Sequence, residues 1–295
     1  MSLLDNSFSR ESVKVLLQES FYATLQKTHT HLEDFLSTQE EESLHQYRVT
    51  LRSARSVCRE FQHFFHPKRG CALGERLKKL QHETNEMRDI DVFLECIEGY
   101  KEKVDASCIA ELESIEQALV LEKKRVTKHF LKRMKRRSPS RVFKKISTLW
   151  RHKKLYLPKS EEAMLKHIKP IIEKRIEKIE KLTQQLSIHS ENELFHTLRL
   201  HCKKIRYTTD SFCVDNPRIK AFSSLFKALQ TALGQVQDAN TQIAKLTQYR
   251  SEENGCIGQI IGMLERECEL FKRTCIEKSN QEAIDTIKNN FKAIF

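Results

Sequence analysis

His45, Arg48, Arg52 and Arg55 recur as His196, Arg199, Lys203 and Arg206, each 151 positions further along the chain. The pattern H-x2-R-φ-x2-[R/K]-x2-R is thus written twice, and the same offset carries Phe61 onto Phe212. Guanidinium groups offer paired N–H donors to phosphate oxygens. An imidazole beside them can take up a proton near neutral pH and add one more cation. Residues of these types at this spacing point to anion binding, and two copies suggest two faces serving one anionic ligand.

On a helix advancing about 100° per residue, His45, Arg48, Arg52, Arg55 and Arg59 fall within an arc of about 80°. Leu51, Ala54, Cys58, Phe61 and Phe65 repeat at three- and four-residue spacing on a face turned well away, which is the stripe expected to enter a core. In the second copy Leu198, Cys202, Ile205 and Phe212 take the apolar arc, while Asp210 replaces Arg59 and shortens the cationic one. Like charges four residues apart oppose helix formation by roughly 0.2 to 0.5 kcal/mol per pair. Carboxylates from Glu83, Glu86, Asp89 and Asp91 could offset that repulsion, and so could a bound polyanion.

Other chemistries find less support. A single histidine is most simply a polar residue satisfied at a helix interface, but two at equivalent places in basic stripes are harder to explain that way. Neither stripe contains H-x3-H or H-E-x2-H, and neighbouring arginines repel a cation. The pairs His29/His31 and His63/His66 read as weak, with no carboxylate or thiolate at suitable spacing. No metal and no cofactor are therefore expected. There is no G-x4-G-K-[S/T], nucleophile elbow or kinase signature. Asp89-x-Asp91 is the sole candidate for holding Mg2+, and its repeat partner Asp238-x-Asn240 keeps only one carboxylate. No catalytic residue is assigned.

The elements that must position these groups are helices. Only 7 Gly and 5 Pro, with long runs of apolar residues at three- and four-residue spacing, predict an almost wholly helical chain. Breakers divide it into helices over 9–36, 41–66, 72–99, 104–137, 160–187, 191–214, 218–250 and 256–292, with a short one near 141–152. The first four map onto the last four, an internal duplication of a four-helix unit. Thr38-x-x-Glu41 and Ser190-x-x-Glu193 read as capping boxes opening the two histidine helices.

The net charge of +12 is unevenly spread. Residues Lys123 to Ser160 hold 16 Lys or Arg and no acid, so 36 of the 52 basic residues face all 40 acidic ones elsewhere. Such a run draws polyanions by long-range steering and counterion release. The nine cysteines include no C-x2-C and are scattered along apolar faces, which reads as buried thiols in a reducing, cytoplasmic setting. No apolar run is long enough to span a membrane, and residues 1–10 lack the features of a signal peptide.

Taken together the motifs resemble the CHAD family, the conserved-histidine alpha-helical domain. The first copy is similar to its H-x2-R-V-x2-R-x2-R helix, and Met87-Arg88-Asp89-Ile90-Asp91-Val92 to its R-D-x-D-V segment. In the second copy Lys203-Lys204-Ile205-Arg206-Tyr207 resembles K-R-L-R-Y. Leu229-Gln230, Leu233-Gly234 and Asp238 follow its L-Q-x2-L-G-x3-D.

The resemblance implies one domain over 1–295, with four-helix halves 1–157 and 158–295. It implies two bundles related by a pseudo-twofold axis, basic side chains lining a central groove or pore, and binding of inorganic polyphosphate, in bacteria at polyphosphate granules. Carried over by position it selects His45, Arg48, Arg52, Arg55, His196, Arg199, Lys203, Lys204 and Arg206. Further phosphate contacts are expected from Arg59, Lys79, Arg125, Lys132, Arg133 and Arg141. Ser53 departs from the family's usual second arginine, and Gln237 stands where the first copy has Arg88. No E-x-E-x-K tunnel signature occurs, so a stand-alone, non-enzymatic binding module is expected.

Two other readings stay open: an RNA or DNA binder using 123–160 with Phe143, Trp150 and Tyr156, and a phosphotransferase with His45 or His196 as phosphoacceptor.

Overall fold

A computed structural model describes residues 10–60, 67–151, 161–212, 217–250 and 255–295. The side chains of Phe61, Phe65, Cys71, Trp150, Tyr156, Phe212 and Cys213 lie outside that description. Every described element is a helix: α1 (Arg10–Thr38), α2 (Glu41–Glu60), α3 (Pro67–His82), α4 (Asn85–Lys101), α5 (Ala106–Arg137), α6 (Pro139–Arg151), α7 (Glu161–Thr183), α8 (Asn192–Phe212), α9 (Pro217–Thr247), α10 (Gly255–Lys278) and α11 (Gln281–Ile294). None is long and apolar enough to cross a membrane.

The chain divides into two compact units, one of Met1–Ile97 with Glu116–Ala163, the other of Glu98–Ile115 with Met164–Phe295. In the first, α1 buries Phe21, Leu25, Thr28, Leu32 and Phe35 at alternating four- and three-residue steps, the periodicity of a core-facing helix stripe. Leu44, Tyr47, Leu51, Ala54 and Cys58 of α2 are buried likewise. The apolar arc read from the sequence is therefore the core side. α6 lies against α1 and buries Phe143 and Ile146. In the second unit Leu198, Cys202 and Ile205 of α8 join Phe222, Phe226, Leu233 and Val236 of α9, with Ile284 and Phe291 of α11.

Two expected helices are broken. The 72–99 helix ends at His82, turns through Glu83 and Thr84, and restarts at Asn85. Its repeat counterpart α9 runs on through Gly234. The 256–292 helix stops before Asn280, whose side chain accepts from Ala283 N at 2.9 Å and so caps α11. The two capping boxes also give way. Thr38 is the last residue of α1, and its hydroxyl accepts from Glu40 N at 3.2 Å, while Gln39 takes φ 61° to end the helix. Ser190 Oγ accepts from Ser187 N and donates to Gln185 O, closing the turn after α7 rather than capping α8.

The expectation of nine thiols is corrected at two of them. Cys108 and Cys256 form a disulfide, their Cα atoms 5.4 Å apart, because the N-terminal ends of α5 and α10 meet within the second unit at bridging distance. Cys202 and Cys275 fit the buried-thiol reading, with burial pushing each thiol up to about 12.

Candidate anion-binding site

The two cationic stripes lie on α2 and α8. Arg55 Nη1 donates to Gln81 Oε1 at 2.5 Å, and Arg206 Nη1 donates to Gln230 Oε1 at 3.0 Å. The offset that places Asp89 on Asp238 also places Gln81 on Gln230, so the same arginine–glutamine tether is built in both copies. A glutamine oxygen orients a guanidinium through a hydrogen bond without cancelling its charge.

Arg48 carries the same device further. It is only 7% exposed, and its Nη1 donates to Thr84 Oγ1 at 2.7 Å, Asn85 Oδ1 at 3.1 Å and Gln81 O at 3.3 Å. The α3–α4 break is thus braced by an arginine from α2. Burial first, then Arg52, lowers the Arg48 pKa. At Arg55 burial and Arg59 act in the same direction. An arginine keeps its proton regardless, so these effects measure a repulsion that an anion would relieve.

The second stripe is looser. No break exists in α9, and Gly234 leaves room for the Arg199 guanidinium, whose Nε would stand 3.8 Å from a Cβ there. Nε of Arg48, Arg199 and Arg206 is buried with no hydrogen-bond partner among the described residues. His196 Nδ1 meets Gln237 Oε1 at 2.6 Å, and the Gln237 amide nitrogen reaches Thr241 Oγ1 at 3.4 Å. That contact engages the Nδ1 side of the ring. In the first copy Arg88 offers no acceptor and turns to Glu95 at 3.3 Å. His45 accordingly has no hydrogen-bond partner among the described residues.

Of the remaining predicted contacts, Arg52, Arg59, Lys79, Lys132 and Arg141 are exposed and Lys203 is half-buried. Lys204 leaves the stripe: it lies one residue beyond the arc, on the flank that also carries His201.

Of the carboxylates that could have neutralised the first stripe, Glu83, Glu86 and Asp91 are committed to α5, whereas Asp89 favours the charge on Arg48 and Glu75 that on Arg55. Glu83 pairs with Arg137 Nη1 at 2.5 Å and Arg133 Nε at 3.9 Å. Glu86 lies 3.6 Å from Arg125, and Asp91 is 2.8 Å from Lys123 Nζ. Burial raises the Asp91 pKa against the pull of Lys123. Burial works against charge on Lys123 too, but its hydrogen bonds to Asp91 and Glu41 outweigh that and raise its pKa. Among the described residues, none of Arg48, Arg52, Arg55, Arg199 and Arg206 forms an ion pair with a carboxylate. The sequence showed acids near the stripe but not which cations would claim them. Arg125 and Arg133, predicted as phosphate contacts, are among the claimants.

Two other constellations carry less. Ser140 Oγ is 3.3 Å from His29 Nε2, and Glu33 Oε1 lies 3.2 Å from the same nitrogen. A serine–histidine–acid relay needs the acid on the other ring nitrogen, so this grouping cannot relay a proton. Glu33 and Asp34, the latter 3.9 Å from His31, correct the reading of His29 and His31 as lacking a carboxylate at suitable spacing. Phe143, a base-stacking candidate, is 4% exposed and belongs to the core. Among the described residues no three His, Cys, Asp or Glu converge as metal ligands.

The described residues are thus all helical, with a cationic stripe on α2 and another on α8, each tethered by a glutamine. The chain belongs to the CHAD domain family, whose profile matches residues 19–247. Among solved structures it is similar to PptA from Streptomyces chartreusis, with a TM-score of 0.63 at 14% identity over 89% of this chain and 97% of that one. It is also similar to the CHAD domain from the plant Ricinus communis, with a TM-score of 0.61 at 19% identity over 95% of this chain and 92% of that one. At these identities the likeness shows the fold. No curated protein sequence matches the chain.

Proposed function

We propose that the chain binds inorganic polyphosphate through its two basic histidine helices and does not turn it over. One observation carries this reading: Arg48, Arg55 and Arg206 are held by neutral acceptors, and Glu83 and Asp91 near the first stripe are paired to α5 instead. Cations positioned without being neutralised are preorganised for a ligand with charge at every repeat unit. The duplicated sequence supports two four-helix halves, each with its own cationic stripe, as the family resemblance implies. Exposed Lys124, Lys128, Lys132, Lys135 and Arg136 on α5 add long-range attraction. The location proposed with this function, cytoplasmic and at polyphosphate granules, follows the ligand.

Each phosphate contact steepens the fall of affinity with salt by about 0.7 to 0.9 on logarithmic axes, by analogy with nucleic acids. Replacing Arg52, Arg199 and Lys203 with Gln should flatten that slope for long-chain polyphosphate by roughly two to three, with folding intact by circular dichroism. An unchanged slope in the folded variant rejects the assignment, as does easy displacement of polyphosphate by single-stranded RNA at equal phosphate concentration. Release of phosphate, or a phosphohistidine at His45 or His196, would replace it with the phosphotransferase reading.

A further inference from the structure

The flank of α8 that faces away from its stripe carries a second set of cations. There α7 and α8 enclose a groove of about 560 Å³. Lys174, Arg175, Lys178 and Lys181 of α7 line it together with Pro170 and with His201 of α8. Glu177 is the single carboxylate among its lining residues.

Three features of this groove match the logic of the stripes. Arg175 is oriented by neutral acceptors: its Nη1 donates to Lys204 O at 2.9 Å and to Thr208 Oγ1. His201 Nδ1 is buried with no hydrogen-bond partner among the described residues. Burial first, and then Lys204, Lys178 and Arg175, lowers the pKa of the His201 ring. The groove is not a copy of anything in the first half. At the stripe offset His201 falls on Thr50 and Lys204 on Ser53, which bring no charge.

We propose that the α7–α8 groove is a second anion site, separate from the stripes, which takes a short phosphoanion of the size of pyrophosphate. The three lysines and Arg175 hold its oxygens. Once the anion offsets the surrounding cations, the His201 ring takes a proton from solvent, so binding and proton uptake are coupled. The charged groups lining the groove beside His201 all come from α7, namely Lys174, Arg175, Glu177, Lys178 and Lys181; Lys204 acts on it from its own helix.

The test uses the full chain with pyrophosphate as probe, followed by calorimetry in two buffers of different ionisation enthalpy and by the imidazole NMR signals. In the wild type near neutral pH, pyrophosphate should move the His201 signal, and binding should take up protons. Replacing the exposed pair Lys174 and Lys178 with Gln should weaken binding roughly tenfold or more and abolish both effects. H201Q should retain binding but lose the uptake. R199Q should leave the His201 response in place. A His201 signal unmoved by pyrophosphate, or moved equally in K174Q/K178Q, overturns the proposal. Because R199Q reports separately on long-chain polyphosphate, failure of the groove and failure of the stripe give different patterns.

Discussion

The corner where α2, α4 and α5 come together and the matching corner of α8, α9 and α10 solve one positioning problem with different chemistry. In the first, Lys123 reaches Asp91 at 2.8 Å and also contacts Glu41, and Asp91 is 2% exposed. In the second, Asn192 Nδ2 donates to Asn240 Oδ1 at 2.5 Å. There Lys272 donates to Ser190 O at 3.0 Å and sits over the Phe195 ring at 5.3 Å. Asn240 falls on Asp91 in the repeat. Charge has been exchanged for neutral bonds while the helices keep their partners. Positioning therefore needs well-made polar contacts and does not need an ion pair, whose desolvation consumes much of its attraction. The same division runs through the stripes: Arg48 is locked into a helix break, and its counterpart Arg199 lies against a glycine.

The largest effect is expected from the disulfide of the second unit. C108S opens a link spanning 148 residues of sequence and should lower stability to denaturant by up to about 5 kcal/mol on the chain-entropy account. Equal stability of C108S and oxidised wild type would show that unit 2 does not lean on its covalent tie.

Next comes the contrast between the two arginines. R48A leaves three acceptors at the α3–α4 break without their donor and should cost about 2 to 4 kcal/mol, whereas R199A should change stability by no more than about 0.5 kcal/mol. Matching losses in urea titrations of the two variants would erase the distinction between a locked and a loose stripe. G234A should do the opposite of R48A. A Cβ there meets only Arg199 at 3.8 Å, so alanine should stabilise α9 by about 0.5 to 1 kcal/mol. The bulkier G234L should displace Arg199 and weaken polyphosphate binding.

The smallest effect concerns pH. The His201 pKa is lowered in the folded state, so the unfolded chain binds its proton first as pH falls. The associated stability is present above the ordinary histidine value and is lost as pH drops through the folded one. H201Q should show a shallower decline than the wild type as pH falls below the ordinary histidine value. Parallel curves would mean that the ring titrates alike in both states.

Much of this was legible in the residues. The arcs of α2 and α8 follow from helical geometry, and Leu51, Ala54, Leu198 and Ile205 are core residues where the periodicity put them. The family could be recognised because four motifs recur in order. Other features were hidden for identifiable reasons. The turn at Glu83 and Thr84 has no glycine or proline to announce it, and it is held from outside by Arg48. The capping boxes failed because Thr38 belongs to the preceding helix. The pairing of Cys108 with Cys256 depends on two helix ends meeting, and spacing in sequence says nothing about that.

By itself the sequence determined an all-helical chain, the faces its helices turn inward, and a repeated set of cations suited to an anion. Those follow from local periodicity and side-chain chemistry, which each helix carries alone. Tertiary structure decided which charges remain unneutralised. Glu83, Glu86 and Asp91 lie in sequence between two cationic helices, and only packing delivers them to α5. It also decided that Arg175 of α7 meets the Lys204 carbonyl of α8, since a hydrogen bond or a groove needs two elements brought together by a shared core.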